Sequence, residues 1–167
     1  MLGKLFFFLF PLLMAFAGSS DLITMRISNR LVAVLVAAFL VLAVALQMPL
    51  QDIALHVTCA VVVLIVAFTF FSFGWVGGGD AKLAAATALW FGFSETLPYL
   101  VYAAIYGGIL TLALLVVRRW PLPLFLNRIG WIQRLHNHKT GIPYGIALAV
   151  AGLVTYSDTA LYQQLLG

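Results

Sequence analysis

The stretch Gly74-Trp75-Val76-Gly77-Gly78-Gly79-Asp80-Ala81-Lys82-Leu83 sets three consecutive glycines against an aspartate, between two hydrocarbon-like segments. A carboxylate at the edge of a membrane is costly, so an acid there is a functional hypothesis by default. Glycine lets a backbone come close to another backbone or a ligand, and it reaches φ values other residues avoid. Asp80 falls where a helix-capping acid would fall, just ahead of the apolar run 81–93. Taken alone, the stretch reads equally as a glycine turn with an Asp N-cap. A phosphate-cradling loop does not fit, because no Gly-Lys-Ser/Thr follows.

Around that stretch the chain is 64% hydrophobic and 8% charged over 167 residues. Soluble domains carry about 25% charged residues, so this chain has too few to coat a water-facing surface. The composition predicts an all-α polytopic membrane protein, one transmembrane domain over residues 1–167. The formal net charge of +4 reports orientation in such a protein, and no nucleic-acid partner is expected. Cys59 is the one cysteine and lies inside an apolar run, so neither a disulfide nor a Cys-x-x-Cys zinc site is expected. No metal and no cofactor are expected.

Six apolar runs, 5–25, 31–46, 53–73, 81–93, 98–117 and 142–156, predict six transmembrane helices. A span needs about 20 residues, so the second, fourth and sixth extend into their flanks. No period-two alternation competes with them. Arg26 and Arg30 follow the first run, Lys82 follows the glycine turn, and Arg118, Arg119, Arg128, Arg134 and Lys139 follow the fifth run. Of the nine Lys and Arg residues, only Lys4 falls outside these alternating connections. The positive-inside rule then puts the basic connections in the cytoplasm and both termini outside. Residues 1–20 resemble a signal peptide, with Ala15-Phe16-Ala17 as a cleavage site. Removing them would invert the charge pattern of the whole chain, so a retained helix is expected.

In the fifth connection Pro121 and Pro123 stop the preceding helix. Phe125, Ile129, Ile132 and Leu135 then recur at helical spacing, with Arg128, Arg134, His136 and Lys139 as the basic side. The pattern predicts a short amphipathic helix in the cytoplasmic interface before the last span. His136 and His138 have no cysteine partner and no nearby acid, which makes a poor metal pair. Ala84, Ala85 and Ala88, and the pairs Ala103/Gly107 and Ala104/Gly108, mark close helix contacts.

There are five acids, Asp21, Asp52, Asp80, Glu95 and Asp158. The topology puts Asp52, Glu95 and Asp158 at the outer face and leaves Asp21 and Asp80 at one inner level. An ion pair with Arg26 or Lys82 is the plain structural reading. The functional reading is a carboxylate dyad. Two aspartates a few Å apart do not both ionise readily, so one serves as general base towards water while its protonated partner polarises a carbonyl. Helix dipoles favour charge on Asp80, at a helix N-terminus, over Asp21, towards a helix C-terminus.

Gly77-Gly78-Gly79-Asp80 matches the Gly-x-Gly-Asp signature of membrane-embedded aspartic proteases, and Gly79-Asp80-Ala81-Lys82-Leu83 resembles the version in bacterial type IV prepilin peptidases. The stretch from Asp21 to Ile27-Ser28-Asn29 is similar to that family's first motif, an aspartate followed at fixed distance by Ile-Pro-Asn. Ile142-Pro143-Tyr144-Gly145 resembles a third family feature. Ser28 stands where longer members have proline, and their cytoplasmic insert with paired Cys-x-x-Cys motifs is missing. The size is similar to the short peptidases of Flp (tight-adherence) pilus systems.

The resemblance implies Asp21 and Asp80 as catalytic residues, with Gly77, Gly79, Lys82 and Asn29 supporting them. It further implies a multi-pass protein of the bacterial inner membrane that cuts prepilin leaders on the cytoplasmic side. The partners are then prepilins and membrane lipid. The competing classes are a small transporter and a non-catalytic subunit of a pilus or secretion machine, in which both aspartates would be structural.

Overall fold

The computed structural model describes residues 2–123 and 125–166. Among these the regular elements are helical: α1 (Leu2–Thr24), α2 (Asn29–Ala45), α3 (Leu50–Ser72), α4 (Gly78–Val117), α5 (Gly130–His136), α6 (Gly145–Tyr156) and α7 (Ala160–Leu166), with one 3-10 turn at Leu126–Arg128. By length and composition, α1, α3 and α4 are long and apolar enough to cross a membrane. α2 and α6 are apolar but shorter, at 17 and 12 residues.

α1 closes through Met25, whose φ of 56° is left-handed and whose N–H returns to Asp21 O at 2.8 Å. Three residues later Ser28 starts α2, and its hydroxyl accepts the N–H of Arg30 at 3.2 Å. The φ of Ser28 is −69°, the angle a proline ring imposes. The serine therefore keeps a proline-like turn and adds a helix cap.

α4 is two arms. Gly92 has φ 64° and ψ −169°, a backbone region open essentially to glycine alone. In a straight helix Asp80 and Thr111 would be about 46 Å apart, yet both line one cavity. Residues 78–91 and 93–117 therefore fold back on each other. The break expected between the runs 81–93 and 98–117 lies at Gly92, inside the first of them, and the second arm runs helically through Pro98. Two side chains hold this break: Thr96 Oγ1 donates to Gly92 O at 2.6 Å, and the Nδ1–H of His56 donates to Leu89 O at 2.8 Å.

α4 is the hub, packing on α2, α3 and α6, while α6 also packs on α1. Trp90 sits in the core with its Nε1–H donating to Leu35 O (3.1 Å) and its ring between Phe10 and Phe39. Ala84, Ala85, Ala88, Ala103 and Gly107 are buried as the small-residue pattern predicts, whereas Ala104 and Gly108 face outward. The expected amphipathic helix is split, because Ile129 is extended (φ −98°, ψ 105°) and separates the 3-10 turn from the seven-residue α5. α7 is an element the hydropathy pattern does not suggest. Thr159 Oγ1 accepts the N–H of Tyr162 at its start, and the Tyr162 ring packs on Phe7 and Tyr156.

Candidate active site

Asp21 lies one turn before the end of α1 and is 5% exposed. Its Oδ2 accepts the backbone N–H of Gly145, the first residue of α6, at 2.8 Å. A Cβ at Gly145 would lie 2.8 Å from that oxygen and 2.8 Å from Ile27 Cδ1, so only glycine lets α6 start against the carboxylate. Asp80 is the third residue of α4; the N-cap is Gly77. The Asp80 side chain folds back so that a Cβ at Gly77 would lie 2.7 Å from its Oδ2. Each carboxylate is thus pressed against a glycine backbone at the start of a helix. The dipole asymmetry expected from the sequence is absent, because Asp21 meets the N-terminus of α6 as Asp80 meets that of α4.

Both aspartates line one cavity of about 1280 Å³ and lie within electrostatic reach of each other. Its rim carries Arg26, Arg118 and Arg134. Among the described residues no Lys or Arg pairs with either carboxylate. Arg118 and Arg134 are engaged elsewhere. Arg118, 6% exposed, donates from Nε to Leu135 O (2.8 Å), from Nη1 to Thr140 O (3.3 Å) and from Nη2 to Gly141 O (2.9 Å). Arg134 Nη2 donates to Ile23 O at the end of α1 (2.8 Å). Together they fasten the 118–144 connection over the end of α1 and deliver Pro143, Tyr144 and Gly145 to the site.

The other sequence-derived residues fall in two groups. Gly77 lines the cavity, and Gly79 packs behind it on Ile27, where a Cβ would come 3.2 Å from Ile27 Cβ. Lys82 and Asn29 are not brought to the cavity; Lys82 Nζ donates to Asn29 Oδ1 at 3.0 Å on an exposed face. His136 and His138 stand edge to face with ring centroids 6.5 Å apart. Among the described residues no three His, Cys, Asp or Glu side chains come together as metal ligands would.

Two further side chains complete the site: Tyr144, which the sequence marks only as part of the Ile142–Gly145 feature, and Arg118. Tyr144 donates its hydroxyl to Ala103 O (3.0 Å) and lies flat over Gly107, where any Cβ would overlap the ring. Arg118 looked like an orientation signal only, and nothing in its neighbours indicates that it turns inward.

An apolar groove of about 460 Å³ meets the cavity at Val76, Asp80 and Tyr144. It runs between α3 (Val63, Val66, Phe70) and the second arm of α4 (Leu97, Leu100, Ala103). The site therefore joins a polar chamber holding two carboxylates to a hydrocarbon-lined channel with one of those carboxylates at its end. Such an arrangement suits hydrolysis of a bond next to an apolar segment, with water supplied from the polar side.

The family model described as the type IV leader peptidase family matches residues 8–112, a stretch that includes both aspartates and the glycine turn. Comparison with curated proteins and with solved structures finds no match. By the extent of the family match, this chain belongs to the type IV leader peptidase family.

Proposed function

We propose that the chain is a membrane-embedded aspartic endopeptidase that removes the leader of type IV prepilins, of the Flp type, at the cytoplasmic face of the bacterial inner membrane. The observation that carries this reading is the shared cavity of Asp21 and Asp80, brought from separate helices and joined to an apolar groove. Six membrane segments are proposed: α1, α2, α3, the two arms of α4, and α6. The basic connections lie at the cavity end, so the positive-inside rule turns the cavity to the cytoplasm and both termini outward.

In the proposed reaction one aspartate takes a proton from water as the water oxygen attacks the scissile carbonyl. Its protonated partner donates a hydrogen bond to the carbonyl oxygen, and the tetrahedral intermediate collapses as the amide nitrogen takes up a proton. Gly145 holds Asp21 by its N–H, and Gly77 leaves room for the carboxylate of Asp80. The apolar segment that follows the leader would lie in the groove between α3 and the second arm of α4, with the leader in the polar chamber.

The test is co-expression with a prepilin, following leader removal for wild type, Asp21→Asn and Asp80→Asn. Loss of cleavage with either change, while the protein still accumulates in the membrane, supports the proposal. Normal cleavage by both variants would favour a transporter or an assembly subunit.

A further inference from the structure

α2 and α3 both pack on α4 and leave a slot of about 300 Å³ between them. Three helical stripes line it. α2 contributes Val32, Val36 and Leu40; α3 contributes Val57, Val61 and Leu64; the first arm of α4 contributes Ala85, Ala86 and Leu89 as the floor. Each stripe follows the three- and four-residue spacing of one helix face. The slot is apolar along its whole length except at one end, where Lys82 enters it and meets Asn29. Asn29 and Lys82 continue the stripes of α2 and α4 by one turn, so both polar groups stand at the same mouth.

Lining decides what fits. The floor from Lys82 to Leu89 is about 10 Å long at 1.5 Å per residue, the walls are valine and leucine side chains, and the one charged group stands at the mouth. That lining suits an acyl chain below a headgroup. Charge decides which amphiphile. Lys82 Nζ has three donors and gives one to Asn29 Oδ1, which leaves two for an anionic headgroup.

We infer that the slot between α2 and α3 is a binding site for an anionic glycerophospholipid, with one acyl chain along the floor of α4 and its phosphate at Lys82. The site is separate from the aspartate cavity and opens on the other side of α3 from the apolar groove. It gives Lys82 and Asn29 a role in holding lipid at the level where α4 begins. It also gives α2 and α3, which scarcely touch, a filler that seals the gap in a bilayer.

The test uses the full chain purified in mild detergent and supplied with phosphatidylglycerol or phosphatidylcholine of identical chains, with bound lipid read by native mass spectrometry. Wild type is expected to retain one phosphatidylglycerol in preference to phosphatidylcholine. Lys82→Gln should lower that preference about fivefold, the effect of one basic side chain at an anionic headgroup, and Lys82→Arg should keep it. Val61→Phe adds bulk from a position 47% exposed, so it covers the slot without crowding the core and should reduce retention of both lipids. Equal retention of the two lipids by wild type, or retention unchanged in Lys82→Gln and Val61→Phe, would mean an annular lipid only and would overturn the inference.

Discussion

Asp21 and Gly145, 124 positions apart in sequence, are joined by a 2.8 Å hydrogen bond from the N–H that begins α6 to the carboxylate near the end of α1. The contact fixes one half of the candidate dyad to the helix lying between α1 and α4. Gly77 has the corresponding place beside Asp80, but a Cβ would have different consequences at the two positions. At Gly145 it would meet Asp21 and Ile27 at 2.8 Å, while at Gly77 it would meet only the free end of the Asp80 side chain at 2.7 Å. Gly145→Ala is therefore expected to lower stability by about 1–3 kcal/mol and to cut the cleavage rate about 100-fold through displacement of Asp21. Gly77→Ala should change stability by less than about 1 kcal/mol and still slow cleavage, because Asp80 rotates away. Thermal unfolding in detergent beside single-turnover cleavage checks both; equal effects of the two substitutions on stability would contradict this account.

The shared cavity gives a pH signature. A pair that works with one proton between its carboxylates lacks a general base in acid, when both are protonated, and lacks a hydrogen-bond donor in alkali, when both are ionised. The cleavage rate should fall on both sides of an optimum, and each Asn variant should lose the bell shape. A rate that rises monotonically with pH would point to a single carboxylate.

Gly92 should tolerate no side chain. At φ 64° and ψ −169° an alanine costs about 1–3 kcal/mol of backbone strain, and its Cβ would stand 3.1 Å from the His56 ring. Gly92→Ala is expected to lower the unfolding midpoint and to reduce cleavage by shifting the second arm. An unchanged midpoint would show that the fold of α4 does not depend on this glycine.

Ser28→Pro should be nearly neutral. The substitution removes a cap contributing about 1 kcal/mol and gains a similar amount from a stiffer unfolded chain, at a φ of −69° that suits proline. Cleavage within about twofold of wild type is the expected result, that factor corresponding to a few tenths of a kcal/mol. A large loss would mean that the Ser28 hydroxyl does more than cap α2.

Much of this arrangement is legible in the sequence. Hydropathy finds the apolar helices, and the Gly-Asp turn with an acid near the end of the first helix points to two carboxylates at one level. The failures have physical causes. Hydropathy places the break in α4 after residue 93, where polar residues begin, but backbone geometry, not polarity, decides a reversal, and Gly92 has the required freedom. Lys82 follows Asp80 by two residues, about 200° round a helix, so the pair cannot share a face, and Lys82 turns instead to Asn29. Tyr144 and Gly145 are marked in the sequence by the family-like Ile142–Gly145 stretch, but Arg118 is not, and the helical spacing within 125–135 does not show how the 118–144 connection brings the three to the site. Arg118 and Tyr144 are placed by hydrogen bonds to backbone carbonyls, which are common to every residue in the sequence, and Gly145 is placed by its N–H to the Asp21 carboxylate.

The most direct measurement of the central claim is the single-turnover cleavage of a prepilin by wild type, Asp21→Asn, Asp80→Asn and the double variant at equal membrane abundance. Two groups working as one unit lose nearly everything on the first substitution. Each single variant is therefore expected to fall by at least about 10³-fold, with the double variant no slower than either. Independent, multiplying losses, or full activity in either single variant, would contradict a shared two-aspartate site.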